Sequence, residues 1–118
     1  MPLPAYRANL AAIFGRLAPR ARQIVWATTS PCPNVTTSMG RTDARVRAYN
    51  AEALEAVTAA AAQAGAKLVV DDLYGAVVGY CGANYKTCDL QKPANVHFEA
   101  KGCAFLGAQV VKSLVPFL

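Results

Sequence analysis

Two short apolar runs constrain the fold of this chain more than any other feature. Residues 23–29 (QIVWATT) and residues 67–70 (KLVV) are continuous apolar runs rather than alternating ones, which is typical of parallel strands covered on both faces. A long helical stretch separates them, so the order predicts a strand–helix–strand unit of an α/β fold. Two parallel strands alone leave their outer edges unpaired. We therefore expect the sheet to be incomplete within this chain.

Apolar spacing predicts helices around these strands. The first helix is expected from about residue 4 to residue 17, and Pro19 ends it. The second is expected to start at a cap formed by Thr42 or Asp43 and to stop at Gly65. A short helix over residues 73–78 and a last one over residues 99–115 follow. The buried face predicted for the second helix consists of Val46, Tyr49, Asn50, Ala53, Leu54, Val57 and Ala61.

Composition favours one small folded domain over residues 1–118. Hydrophobic residues make up 54% of the chain and charged residues 16%, which suits a buried core rather than disorder. No apolar run is long enough to cross a membrane. The formal charge of +5 is scattered, and the most basic stretch, residues 16–22, carries no nucleic-acid motif. We expect neither a nucleic-acid partner nor a membrane, and no cofactor or metal.

The cysteines indicate a disulfide. Cys81 and Cys88 bracket a short loop and are expected to be bonded, which suits an oxidising compartment. Zinc binding is the weaker alternative, because a second close pair is missing. Cys32 and Cys103 are expected to be buried or free thiols. The disulfide and a glycosylation sequon at Asn34 favour a secreted or lumenal protein, although no signal-peptide pattern opens the chain.

The single histidine, His97, is the candidate catalytic residue. It lies on a predicted loop directly before the last helix, and imidazole is the side chain best suited to moving protons near neutral pH. The alternative is a loop histidine without a chemical role.

Five motifs in order resemble the C-terminal half of an SGNH (GDSL-type) hydrolase. They are YRANL at residues 6–10, IVWATTSP at 24–31, Tyr49-Asn50, VVDDLY at 69–74, and VHF at 96–98 followed by Gly102. The resemblance covers nearly the whole chain. It implies a three-layer α/β/α fold with a parallel, flavodoxin-like sheet. About two of its strands and three to four of its helices lie in this chain.

The resemblance also implies an ester hydrolase with a serine nucleophile, an oxyanion hole built partly from a glycine and an asparagine, and a histidine base oriented by an aspartate three residues earlier. Only the histidine carries over, as His97; the Gly-Asp-Ser, glycine and Gly-x-Asn-Asp blocks would precede Met1, and Ala94 occupies the aspartate position. The implied substrate is an acyl ester, with a carbohydrate O-acetyl ester as one candidate.

Two functions therefore remain open from the sequence. In one, the chain is the C-terminal part of an SGNH-like serine esterase, is inactive alone, and is completed by a missing N-terminal half. In the other, it is a non-catalytic truncated paralogue that binds a partner or a second copy through its open sheet edge.

Other residues are weaker candidates for chemistry. Ser30 follows a strand, but it lacks the flanking glycines of a nucleophile elbow. Asp71 and Asp72 end a strand, where α/β ligand sites lie, but the preferred interpretation is that one of them caps the next helix. Tyr74, Tyr80 and Tyr85 are expected to pack around the cysteine loop.

Overall fold

Helices and strands follow one another in the order that the sequence predicts. The structure, a computed structural model, describes residues 1–32, 40–93 and 95–118. In chain order the elements are α1 (Leu3–Leu17), β1 (Gln23–Ala27), α2 (Asp43–Ala64), β2 (Lys67–Asp71), α3 (Leu73–Cys81) and α4 (Ala100–Leu114). Short 3-10 turns continue α1, α3 and α4. The chain is thus a mixed α/β protein, as predicted.

The two strands pair in parallel. Gln23 lies opposite Lys67, and Ala27 lies opposite Asp71. One further backbone bond continues the pairing, from the Thr28 N–H to the Asp71 carbonyl at 3.0 Å. Within the described residues the sheet consists of these two strands alone, so each strand keeps one unpaired edge. The predicted parallel pairing is confirmed.

Local signals fix both ends of α2. The Thr42 hydroxyl accepts a hydrogen bond from the Arg45 N–H at 3.2 Å, and Gly65 ends the helix in the left-handed conformation with φ 66°. On the predicted buried face, Ala53, Val57 and Ala61 are buried. Leu54 is 39% exposed, although helical spacing places it on the same side of α2 as Ala61, two turns later.

The core lies between one face of the sheet and the pair α1 and α2. Ile24 and Leu68 of the two strands pack with Val57 and Ala61 of α2. Phe14 of α1 meets Trp26 of β1 edge-to-face, with ring centroids 5.6 Å apart. A second cluster is formed by Leu10, Ala53 and Ala56. Many of the buried residues are alanines, so the core contains little apolar volume for a chain of this length.

Several large apolar side chains remain exposed. They are Ile13 and Leu17 on α1, Val70 on β2, and Val111, Leu114, Val115 and Phe117 at the end of the chain. Single exposed apolar residues are ordinary in folded proteins. In this protein they occur together with two strand edges that no described strand pairs. In the described part of the chain, no helix has the length and apolar character needed to cross a membrane.

The segment after β2 is held by a cap and a disulfide. Asp72 caps α3 by accepting a hydrogen bond from the Gly75 N–H at 2.9 Å, which confirms the preferred interpretation of the Asp71–Asp72 pair. Cys81 and Cys88 are bonded, as predicted. Of the other two cysteines, Cys32 is buried and Cys103 is exposed.

Gly102 allows α4 to begin against the loop that carries His97. It is buried, and a Cβ at this position would lie well inside 3.0 Å of the Leu90 carbonyl oxygen and near the Phe98 ring. Leu90 is itself fully buried. The absence of a side chain at Gly102 is therefore what lets this helix approach a backbone atom.

We expect Gly102→Ala to lower the free energy of unfolding by about 2 kcal/mol, because a methyl group would push against backbone that cannot yield. The matched control is Gly107→Ala on the same helix, where a Cβ meets nothing within 4 Å. This control should be neutral or should stabilise the protein by up to about 1 kcal/mol, since alanine favours helix. Urea denaturation of the three proteins measures both changes; equal stability of the two variants would contradict the assignment.

Candidate functional site

A cavity of about 470 Å³ opens beyond the carboxyl end of β1. Its walls come from α1, from the segment after β1, from the start of α2 and from the His97 loop. The lining includes Tyr6, Ser30, Arg41, Arg45, Tyr49 and Val96. Both its volume and its place beyond a strand end are typical of small-molecule sites in α/β proteins.

Two side chains from other elements hold the segment after β1 in place. The Asn50 side chain of α2 accepts a hydrogen bond from the Thr29 N–H at 2.9 Å and donates one to the Thr29 carbonyl at 2.8 Å. The buried Gln91 donates through Nε2 to the Pro31 carbonyl at 3.0 Å. Ser30 therefore lies between two fixed residues on the cavity wall, although it has none of the glycines that a nucleophile elbow needs.

Thr28 connects the end of β1 to the start of α3. Its hydroxyl donates to the Asp72 carboxylate at 3.1 Å and accepts from the Tyr74 N–H at 2.9 Å. Asp71 is buried at the end of β2. Asp72 is thus bonded to Thr28 and to the start of α3, Asp71 is buried at the strand end, and the cavity lining includes neither.

The His97 loop is closed by its own backbone. The Lys92 N–H donates to the His97 carbonyl at 2.9 Å, and the Glu99 N–H donates to the Leu90 carbonyl at 2.9 Å. The His97 N–H donates to the Asn95 side chain at 3.1 Å. This arrangement fixes the backbone of His97 while its side chain stays exposed. The neighbouring residue, Val96, lines the cavity.

No described carboxylate contacts the His97 imidazole. Asp89 and Asp71 both precede His97 in the sequence: Asp89 pairs with Lys101, and Asp71 is buried at the end of β2. Ala94, at the position of the family's aspartate, lies outside the described residues, as does Asn34 of the sequon. The role assigned to His97 stays a prediction.

A buried carboxylate lies next to the cavity at the first position of α2. Asp43 is 2% exposed and accepts hydrogen bonds from the hydroxyls of Tyr74, at 3.0 and 3.2 Å, and Tyr85, at 2.9 Å. The Arg47 guanidinium lies 3.6 Å away. Tyr85 belongs to the loop that the Cys81–Cys88 disulfide closes. Asp43 therefore joins the wall of the cavity to that loop.

Sequence reasoning missed this cluster. Tyr74 and Tyr85 do pack together at the cysteine loop, with ring centroids 6.5 Å apart, whereas Tyr80 packs on Phe105 instead. The sequence predicts Asp43 only as a possible helix cap, and Thr42 takes that role. The sequence does show two arginines near the start of this helix, Arg41 and Arg45, four positions apart. That pair could have indicated a cationic surface there, but it does not predict the tyrosine contacts of Asp43.

The Asp43 cluster leads to a prediction at alkaline pH. Burial, and then the hydrogen bond to Asp43, raise the pKa of Tyr74 far above its ordinary value of 10.0. Burial also raises the pKa of Tyr6. A pKa that is higher in the folded protein gives stability that is complete below the unfolded value and is lost as the pH rises toward the folded one.

We therefore expect the free energy of unfolding to fall above about pH 10, by up to about 1.4 kcal/mol per pH unit for each group. Tyr74→Phe should make this fall shallower, since phenylalanine does not ionise. Urea denaturation at a series of pH values measures the slope. A slope that is the same in Tyr74→Phe as in the natural protein would show that Tyr74 is not responsible.

Metal chemistry has no support from the described residues. Within residues 1–32, 40–93 and 95–118, no group of three or more His, Cys, Asp or Glu side chains is placed to hold a metal ion.

The fold and the cavity define an α/β protein with a cavity whose wall includes a residue of the His97 loop. Comparison with known proteins adds nothing to that class: no family model, no curated protein sequence and no solved structure matches this chain.

Proposed function

We propose that this chain is the C-terminal part of an SGNH-like serine esterase that hydrolyses an acyl ester, with a carbohydrate O-acetyl ester as the candidate substrate. His97 acts as the general base. The serine nucleophile is supplied by a segment outside this chain. In the complete domain the sheet gains further parallel strands and becomes the middle layer of an α/β/α fold.

One observation supports this proposal above the others: His97 is exposed on a backbone-closed loop, and the residue directly before it, Val96, lines the cavity. A general base must reach its proton through one hydrogen bond or one water. An exposed imidazole on a fixed backbone meets that requirement. The order of the motifs supports the family, because the histidine block directly precedes the last helix in this chain as well.

The chemistry of such a site is acyl transfer. The His97 imidazole removes the proton from the serine hydroxyl, the serine oxygen attacks the ester carbonyl, and the imidazolium then returns the proton to the leaving alcohol. Water hydrolyses the acyl-enzyme by the same steps. With Ala94 in place of the aspartate, a backbone carbonyl would have to orient the imidazole.

The thin core also supports a larger domain. Both strands have an unpaired edge, and Ile13, Leu17 and Val70 leave apolar surface exposed near the sheet and its helices. Additional strands and the helices that accompany them would cover such surface and pair the open backbone groups.

The test is to sequence the transcript upstream of Met1 and to assay the encoded protein with p-nitrophenyl acetate. We expect an in-frame extension of about a hundred residues, enough for an ordinary domain, carrying Gly-Asp-Ser and Gly-x-Asn blocks, together with esterase activity that the 118-residue chain alone lacks. A stop codon close upstream would rule out the esterase.

A second candidate function is favoured by the open sheet itself. If the chain acts alone, it is a non-catalytic module whose free strand edge binds a second copy or another protein. Sedimentation of the purified chain then shows a dimer or larger assembly. A strictly monomeric and well-folded chain with no esterase-encoding extension would contradict both proposals.

A further inference from the structure

The last helix, α4, has apolar residues on two opposite sides. Its inner side packs against β1 and β2 and includes the buried Gly102 and the half-buried Leu106. Its outer side carries five exposed residues that recur at spacings of four and three along the helix, which places them on one face. These residues, called the outer stripe below, are Ala100, Ala104, Gly107, Val111 and Leu114.

The outer stripe is unusual for a helix that covers a sheet. Such a helix is ordinarily polar on the side that faces away from the sheet, whereas no residue of the outer stripe has a charged or hydrogen-bonding side chain. Val111 is 55% exposed and Leu114 is 40% exposed. Because a helix that is apolar on all sides is normally buried, the outer stripe indicates an interface with another chain.

Further strands of a larger sheet would not cover the outer stripe. The inner side of α4 contacts both β1 and β2, and strands added at either open edge would lie beside these two, in the plane of the sheet. The helices that accompany such strands would pack on the sheet next to α4. The side of α4 opposite the sheet would stay exposed, so this inference does not rest on the proposed esterase.

The two ends of the outer stripe differ in size, and this difference identifies the occupant. Ala100, Ala104 and Gly107 are small, and a Cβ built at Gly107 meets nothing within 4 Å. Val111 and Leu114 are large. A second α4 in antiparallel orientation lays the large end of each helix over the small end of the other, so that large side chains fill the space beside small ones. A parallel copy would oppose large to large and leave gaps at the small end.

Charge also favours a second copy. The charged residues of α4, Lys101 and Lys112, lie together at one edge of the outer stripe rather than within it, and Lys101 pairs with Asp89. Two outer stripes can therefore meet without removing a charge from water, whereas a charged partner surface would lose its hydration without gaining an opposite charge.

The length of α4 sets the strength of such a pair. Contact along its 15 residues, about 22 Å at 1.5 Å per residue, buries on the order of 1,000 Å² in total. That area is the lower bound of a specific interface. A weak dimer is therefore expected rather than a permanent one.

We propose that two copies of this chain associate through their α4 helices, packed antiparallel about a twofold axis. Ala104 faces Leu114 of the second copy, and Gly107 faces Val111 of the second copy. The dimer forms with a Kd of about 100 μM. This surface is separate from the open strand edge of the second candidate function, and substitutions distinguish the two.

Sedimentation equilibrium tests the association on the 118-residue chain, or on the longer protein if the transcript encodes one. For the 118-residue chain we expect the average mass to rise from 12.4 kDa toward twice that value as the concentration passes the expected Kd. Val111→Glu should weaken the association at least roughly tenfold, because pairing would bury the new charge. The matched control is Leu17→Glu on α1, since Leu17 is 54% exposed against 55% for Val111; it should change nothing. Circular dichroism confirms that both variants are folded.

Cross-linking tests the antiparallel register. Ala104→Cys and Leu114→Cys are each made in a Cys103→Ser background, because Cys103 is an exposed thiol. A mixture of the two proteins should form a disulfide-linked dimer on mild oxidation, identified by mass spectrometry. Neither protein should cross-link with itself, because in this register like positions lie about 15 Å apart along the helices, beyond the reach of a disulfide.

Three results would overturn the proposal: an average mass that stays at that of the monomer throughout, equal effects of Val111→Glu and Leu17→Glu, or cross-linking of either cysteine variant with itself in place of the mixed dimer. Equal effects of the two glutamate variants would assign any dimer to another surface, such as the strand edge. Because the association needs no nucleophile and no substrate, its failure is separable from failure of the esterase.

Discussion

Replacing His97 with alanine in the proposed full-length esterase is expected to lower kcat by about 10²- to 10⁴-fold, the usual contribution of a general base. The imidazole makes no hydrogen bond to a described side chain, and its backbone bonds to Lys92 and Asn95 do not need the ring. The variant should therefore fold normally and bind substrate with little change in KM. Steady-state kinetics with p-nitrophenyl acetate, together with a thermal melt, measure the two effects separately.

The matched control is Lys92→Ala on the same loop. Lys92 is exposed and contributes its backbone N–H rather than its side chain to the loop closure. Its substitution should leave kcat within about twofold, because surface changes of this kind rarely exceed 0.5 kcal/mol. If His97→Ala retained the parent's rate, the assignment of His97 as the base would be wrong, whatever the rest of the fold does.

Asp43→Ala is expected to lower the free energy of unfolding by about 3 kcal/mol. Hydrogen bonds to a charged group contribute about 1.5–3 kcal/mol each, and this carboxylate accepts them from both Tyr74 and Tyr85 in a site that is 2% exposed. Its loss leaves two tyrosine hydroxyls without their acceptor. Asp43→Asn should cost less, since the amide oxygen still accepts one bond.

The matched control is Glu55→Ala, which removes the same charge from the same helix. Glu55 lies on the surface, where it pairs with Arg7 at 2.8 Å in an ion pair whose partners are 52% and 64% exposed. Exposed pairs of this kind contribute 1 kcal/mol or less. Urea denaturation should separate the two variants by about 2 kcal/mol or more. Similar losses of unfolding free energy for both variants would mean that the buried Asp43 cluster stabilises the fold no more than an exposed ion pair does.

Most of the fold was predictable because its signals are local. Thr42 and Gly65 bound α2 through interactions within a few residues of each helix end, and Cys81 and Cys88 are separated by only seven positions. The continuous apolar runs indicated parallel pairing. Leu54 shares a side of α2 with Ala61 but is exposed, because a residue at the edge of an apolar stripe is buried only if another element packs over it.

The site was less predictable because its contacts are distant in sequence. Asp43 meets tyrosines 31 and 42 positions later, and the residues that line the cavity come from several elements. Only the folded backbone brings Tyr6 to Tyr49, 43 positions apart in the chain. His97 could be singled out because it is the only histidine, but nothing in its own neighbourhood predicts which surface its loop faces.

The position of Tyr85 inside the disulfide loop has a consequence for how this protein matures. The closed loop favours the contact between Tyr85 and Asp43, so by reciprocity that contact must favour closure of the loop. Formation of the Cys81–Cys88 disulfide and burial of the Asp43 carboxylate therefore favour each other. A chain that folds before it meets an oxidant would already hold Cys81 and Cys88 near each other, because the contact between Tyr85 and Asp43 restricts the loop between them. An oxidant would then only have to form the bond between the two sulfur atoms.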